Sequence, residues 1–195
     1  MTRSFSWRNA LKPDAGFTLV ELVMVLAVVG LSASISLPRM RQTPDAQVRA
    51  AALDLMYKIE AARTTAMATK KMVRMTFNVA GGDFAAYLDM DGDENIAGTT
   101  AEMDAYRRGG ARTIPANIMF GRGSAGPAPV DSLGSGAVTL PDGRAQFNKL
   151  GVSEPFGTGG LIYLQHEDHQ ESVAAISLTP SASMRLWVYR SGVWQ

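Results

Sequence analysis

The sequence predicts an α+β protein: a long N-terminal helix, with a membrane-spanning half and an amphipathic half, packed on an antiparallel β-sheet head. Three observations carry this. Residues 17–37 form a largely apolar run with one charge, Glu21. From Asp45 the apolar residues recur at alternating spacings of four and three, which is helical periodicity. From Met72 the period drops to two, and strand-like runs separated by turn residues continue to the C-terminus.

The apolar run is long enough, at ~1.5 Å rise per residue, to cross a hydrocarbon core ~30 Å thick. Residues 1–15 carry Arg3, Arg8 and Lys12 against Asp14. Such a leader stays cytoplasmic by the positive-inside rule, so the chain is expected to enter the membrane once, N-in and C-out. A carboxylate inside an apolar span costs about 2.5–3.5 kcal/mol on insertion scales, so Glu21 is read as functional and in need of a partner. A secretory signal peptide is cut after its apolar region. Here a glycine, Gly16, stands before it.

Pro38 and Pro44 come next. Each can kink a helix, and Pro44 behind Thr43 can also open a new one. Val48, Ala52, Leu55, Ile59, Ala62 and Ala66 then form one stripe, with Arg49, Asp54, Lys58, Glu60 and Arg63 off it; this is an amphipathic helix with a surface to bury. Val73, Met75, Phe77 and Val79 alternate with polar residues and pair with Phe84 to Leu88 as a hairpin. Short strands are expected at Ile114-Pro115 and at Ile118 to Phe120. Gly121 to Gly136 holds five Gly, three Ser and two Pro in sixteen residues and reads as a flexible loop with little to bury. Val138 to Leu140 and Arg144 to Asn148 read as a second hairpin about Pro141-Asp142-Gly143. Strands follow at Leu161 to Gln165, Val173 to Leu178 and Met184 to Tyr189.

Composition narrows function. The chain has 195 residues, a formal charge of +1 and no cysteine. Thiol nucleophiles, thiolate metal sites and disulfides are excluded. Without the leader, sixteen bases face seventeen acids, so no global basicity holds nucleic acid. No Gly-x-Ser-x-Gly elbow, Walker loop or dinucleotide fingerprint is present, and the reading is not an enzyme. Asp89, Asp91 and Asp93 alternate as in a calcium loop, but Glu94 and Thr100 stand where an EF-hand needs Gly and Glu. They remain candidates for an irregular calcium site, with a plain acidic turn as the alternative. His166 and His169 lie with acids on an expected exposed hairpin turn, a zinc candidate lacking a shielded second shell. Neither cluster secures a cofactor. In the tail, Arg185 and Arg190 among aromatics could contact a nucleic acid. Strand alternation offers the competing reading, with Leu186, Val188 and Arg190 on one face and Arg185, Trp187 and Tyr189 on the other.

Gly16-Phe17-Thr18-Leu19-Val20-Glu21, behind its basic leader, resembles the prepilin signal of type IV pilins and type II secretion pseudopilins. The acidic turn and Phe147-Asn148-Lys149-Leu150-Gly151 resemble the H-type, FimT-like minor members. The resemblance implies a leader at 1–16 cut between Gly16 and Phe17 by a prepilin peptidase that also methylates Phe17. It implies a transmembrane helix at 17–37, an amphipathic helix at 38–71 and a periplasmic head at 72–195. Glu21 would drive assembly with other pilins or pseudopilins on an inner-membrane platform. The implied role is a structural subunit of a secretion pseudopilus or, alternatively, a minor type IV pilin, some of which take up DNA.

Overall fold

The computed structural model describes residues 18–36, 43–106, 110–130, 134 and 136–195, with backbone alone over 31–36. The leader, Gly16, Phe17 and Pro38 lie outside the described residues. The chain forms two units, residues 1–42 and residues 43–195.

In the first unit, helix α1 spans Leu19–Ser36. Thr18 starts it: its Oγ1 accepts from the Glu21 N–H at 3.2 Å, and its carbonyl accepts from Leu22 N–H at 3.2 Å. This satisfies donors that a helix start otherwise leaves unpaired.

The second unit opens with α2, Pro44–Thr69. Thr43 Oγ1 accepts from Ala46 N–H at 3.3 Å and Pro44 occupies the first turn, where its missing N–H is no loss. Lys70 ends the helix in the left-handed region at φ 57°. The amphipathic helix expected over 38–71 is therefore described over 44–69, because the cap sits at Thr43. Its stripe is the expected one with Ala51 added: Val48, Ala51, Ala52, Leu55, Ile59, Ala62 and Ala66 are all buried.

That stripe rests on an antiparallel head, as expected, made of two sheets. The first has the order β3-β2-β1-β5, from Arg112–Thr113, Asp83–Leu88, Val73–Asn78 and Arg144–Phe147. The second has the order β4-β6-β7-β8-β9, from Ile118–Phe120, Gly160–His166, Val173–Leu178, Met184–Arg190 and Val193–Trp194. Strands of both sheets lie against α2. The expected β1–β2 hairpin forms, with Val73 opposite Leu88 and Asn78 opposite Asp83, and Val79 falls in the turn.

Three expectations are corrected. The hairpin about residues 141–143 does not form. Pro141–Gly143 is a 3-10 turn in which Asp142 and Gly143 have φ of 51° and 63°; it sends β5 to the free side of β1, Val73 opposite Phe147, and leaves Val138 a single bridge to Ile162. The strand expected at Ile114-Pro115 lies just before it, because Ile114 turns into the core while its N–H binds Gly82 O at 3.0 Å, and Pro115 has no N–H for a ladder. A helix, α3, Thr100–Ala105, occupies a stretch for which the sequence predicts no element.

The core has two parts. The inner part lies between α2 and the sheets and includes Leu55, Ile59, Met75, Phe147, Ile162 and Ile176. The outer part gathers Ala125, Ala128, Leu161, Tyr163, Val173, Ala175 and Trp187. Residues 121–130 thus cover the second sheet, against the expectation of a loop with little to bury.

Candidate functional site

Every described side chain of α1 is exposed, from Leu19 at 79% to Val29 at 58%, and Glu21 is the one charge among them. An isolated helix apolar on all sides has no polar face for water and requires lipid or other helices around it. Among the described residues no helix is long and apolar enough to cross a membrane. The described side chains of α1 stop at residue 30, about 18 Å along the axis, and the apolar run to Leu37 continues past them. Glu21 has no ion-pair partner among the described residues. The cleavage and methylation residues Gly16 and Phe17 lie outside them.

The acidic turn brings its three candidates together: ligand oxygens of Asp89, Asp91 and Asp93 lie within 4.8 Å of one another. Asp89 is buried, yet both its oxygens serve the turn, Oδ1 accepting from Gly92 N–H at 2.7 Å and Oδ2 from Glu94 N–H at 3.1 Å. Asp93 Oδ1 accepts from Asn95 N–H at 2.8 Å. A hydrogen bond with the Asp89 carboxyl, then the Asp93 backbone N–H, hold Asp91 below the ordinary carboxylate range. The arrangement is a turn that satisfies its own amides, the usual reason for aspartates in such loops.

His166 and His169 do not sit on one exposed turn. His166 ends β6 and is buried, while His169 is half exposed and pairs with Glu171 at 3.3 Å. The rings meet edge to face at 5.0 Å. His166 Nδ1 accepts from Asp168 N–H at 3.1 Å, and its Nε2 lies 3.4 Å from the Asn117 side chain, itself bonded to Gln47. His166 is thus buried beside Asn117, which corrects the reading of a solvated turn, and Asn117 bonds the start of α2 through Gln47. Nearby, Ser172 Oγ donates to Asp45 Oδ1 at 2.5 Å.

In the tail, Arg185 and Arg190 are exposed. The Arg185 guanidinium lies 4.0 Å over the Trp187 ring, whose Nε1 donates to Ser177 Oγ at 3.1 Å. The ring is buried beneath the guanidinium, so no aromatic face stands free there for a base to stack on. The expected alternation holds: Met184 and Leu186 lean on the inner core, Trp187 and Tyr189 on the outer.

The capping box of α3 escaped sequence reading, although Thr99-x-x-Glu102 is its signature. Thr99 Oγ1 accepts from Glu102 N–H at 3.3 Å and Glu102 Oε2 accepts from Thr99 N–H at 2.8 Å.

The described residues thus form an α+β fold, with α2 on two antiparallel sheets, and α1 before it in sequence as an apolar helix bearing one acid. Residues 11–37 match the family model for the prokaryotic N-terminal methylation motif. Among solved structures, the type IV minor pilin FimU of Pseudomonas aeruginosa (strain PAO1) aligns at 11% identity and a TM-score of 0.47, over 76% of this chain and 92% of that chain. No curated protein matches.

Proposed function

We propose that this chain is a minor pilin or pseudopilin: a structural subunit, not an enzyme, that joins a helical fibre through its N-terminal helix. The observation that carries the reading is the methylation motif at 11–37 leading into an apolar helix with Glu21 as its one charge. In this reading a prepilin peptidase cuts after Gly16 and methylates Phe17. The chain is anchored in the inner membrane by 17–37, the head stands in the periplasm, and other pilins or pseudopilins and the assembly platform are its partners. The acidic turn and the 147–151 segment favour an H-type subunit of a secretion pseudopilus.

Mass spectrometry of the protein from cells with an active prepilin peptidase tests the first step. A mature N-terminus at Phe17 carrying an added methyl group is expected, and Gly16→Lys should leave the precursor uncut. An intact leader on the wild-type protein overturns the proposal. The prepilin-type proteins that co-purify with it separate a secretion pseudopilus from a retractable pilus.

The second reading, a FimT-like minor pilin that takes up DNA, rests on Arg185 and Arg190 at the surface of β8. Two arginines release few counterions, so binding would be weak and its dependence on salt shallow. Gel shifts at low and high salt with Arg185→Ala and Arg190→Ala test it.

A further inference from the structure

Only part of the outer edge of β8 is covered. β9 lies beside Tyr189 and Arg190. Val188 and Gln195 exchange two backbone hydrogen bonds of 3.0 Å, with Ser191 and Gly192 at φ 49° and 85° making the tight turn between the strands. In an antiparallel ladder the backbone groups of successive residues face opposite sides. With Val188 turned outward, Leu186 and Met184 are outward as well, while Arg185 and Trp187 face β7. Among the described residues no group bonds the outward N–H or C=O of Leu186 or Met184.

The other strands that end a sheet are short or flanked, and the stretch of β2 beyond β3 lies beside α3. β5 is flanked by Ser153 and by Glu154, whose N–H binds Gln146 O at 2.9 Å; β3 and β4 have two and three residues. Exposed edges are normally blunted by shortness, bulges, proline or lysine. β8 has seven residues, pairs one to one with β7, and contains neither Pro nor Lys.

We propose that the edge at Met184 to Leu186 accepts an extended strand from a protein partner by β-augmentation, and that the strand it fits alternates apolar and acidic residues. Backbone bonds to Leu186 would supply affinity, and the flanking side chains the selection. A residue opposite Leu186 falls on the face where Met184 and Leu186 meet the inner core, which asks for an apolar side chain. Its neighbour falls on the other face beside Arg185. Arg185 has no ion-pair partner among the described residues, and β8 and β9 contain no acid, so a carboxylate is the complementary choice. The proposal does not require that the chain enter a fibre.

Hydrogen exchange on the full chain in detergent micelles tests it, with a capped Thr-Val-Glu-Val-Glu-Val-Thr peptide as probe and its Glu-to-Lys counterpart as control. The Leu186 amide should exchange readily in the free protein and slow by about tenfold or more with the acidic peptide. The lysine peptide should protect it far less, and Arg185→Glu should invert that preference. A Leu186 amide already protected in the free protein, no protection by the acidic peptide, or equal protection by both peptides would overturn the proposal.

Discussion

The Tyr163 hydroxyl accepts the Ala128 backbone N–H at 3.0 Å, joining the centre of β6 to a loop 35 residues away in sequence. Tyr163 is fully buried, Arg122 Nη2 donates to the same oxygen at 3.1 Å, and Trp194 Nε1 binds Gly126 O at 3.1 Å. Residues 121–130 are therefore docked on the second sheet by hydrogen bonds as well as by Ala125 and Ala128. Tyr163→Phe keeps the ring and removes the acceptor, leaving a buried N–H unpaired at a cost of about 1–3 kcal/mol. A lower melting temperature and faster exchange of the Ala128 amide are expected. Deleting 125–128 should destabilise further, and unchanged melting in both variants would show the loop to be undocked.

Composition misled there because glycine, serine and proline report how freely a backbone turns, whereas docking depended on two small alanines and one distant tyrosine hydroxyl. The α2 stripe was legible from Val48 to Ala66 because helical period is a local property. The β1–β2 hairpin was legible for the same reason. What local pattern could not reveal was the partner of a strand: β5 looked ready to fold back on Val138 to Leu140, but the free side of β1, some seventy residues earlier, took it. His166 was misplaced because a polar pair beside acids reads as surface, whereas its neighbours Asn117 and Gln47 come from other parts of the chain. The N-terminal segment was legible as a motif, which is a matter of residue identity and order rather than tertiary contact.

The seating of α2 is tested by two residues on opposite faces. Leu55 is 1% exposed and Tyr57 is 67% exposed. Leu55→Ala should cost about 2–5 kcal/mol through lost burial and the cavity left behind. Tyr57→Ala should stay within about 0.5 kcal/mol. Equal losses in chemical denaturation would mean that the buried face has been assigned wrongly.

The capping box of α3 makes a pH-dependent element. Backbone N–H donation from Thr99, then Ala97, together with the Thr99 hydroxyl, holds Glu102 below the ordinary glutamate range. A carboxyl with a depressed folded pKa contributes stability above its unfolded pKa and loses it as pH falls through the folded value. The Thr99 and Ala97 amide resonances should therefore titrate with a midpoint below that of an ordinary glutamate. Thr99→Ala should raise the midpoint toward the ordinary value. A normal midpoint in the wild type would mean that the box is not formed in solution.

The last prediction concerns Glu21 and follows from the proposed subunit role. Cleavage after Gly16 would leave a positive amine on Phe17, about one helical turn from the carboxylate. In a single subunit the amine can stay hydrated at the membrane edge. In a fibre, axially shifted helices can set the amine of one subunit beside the acid of another. Each charge alone is unfavourable in hydrocarbon, and together they neutralise one another. Such pairs do not reliably stabilise relative to apolar replacements; one use they do have is to select a register. Glu21→Val should therefore insert at least as well as wild type, be cut after Gly16, and fold its head with unchanged melting. It should lose incorporation, read as missing cross-links to partner pilins and loss of secretion or piliation. Glu21→Asp, which keeps the charge on a shorter side chain, should retain part of it. Wild-type incorporation of Glu21→Val would show that amine-to-carboxylate pairing does not place this subunit.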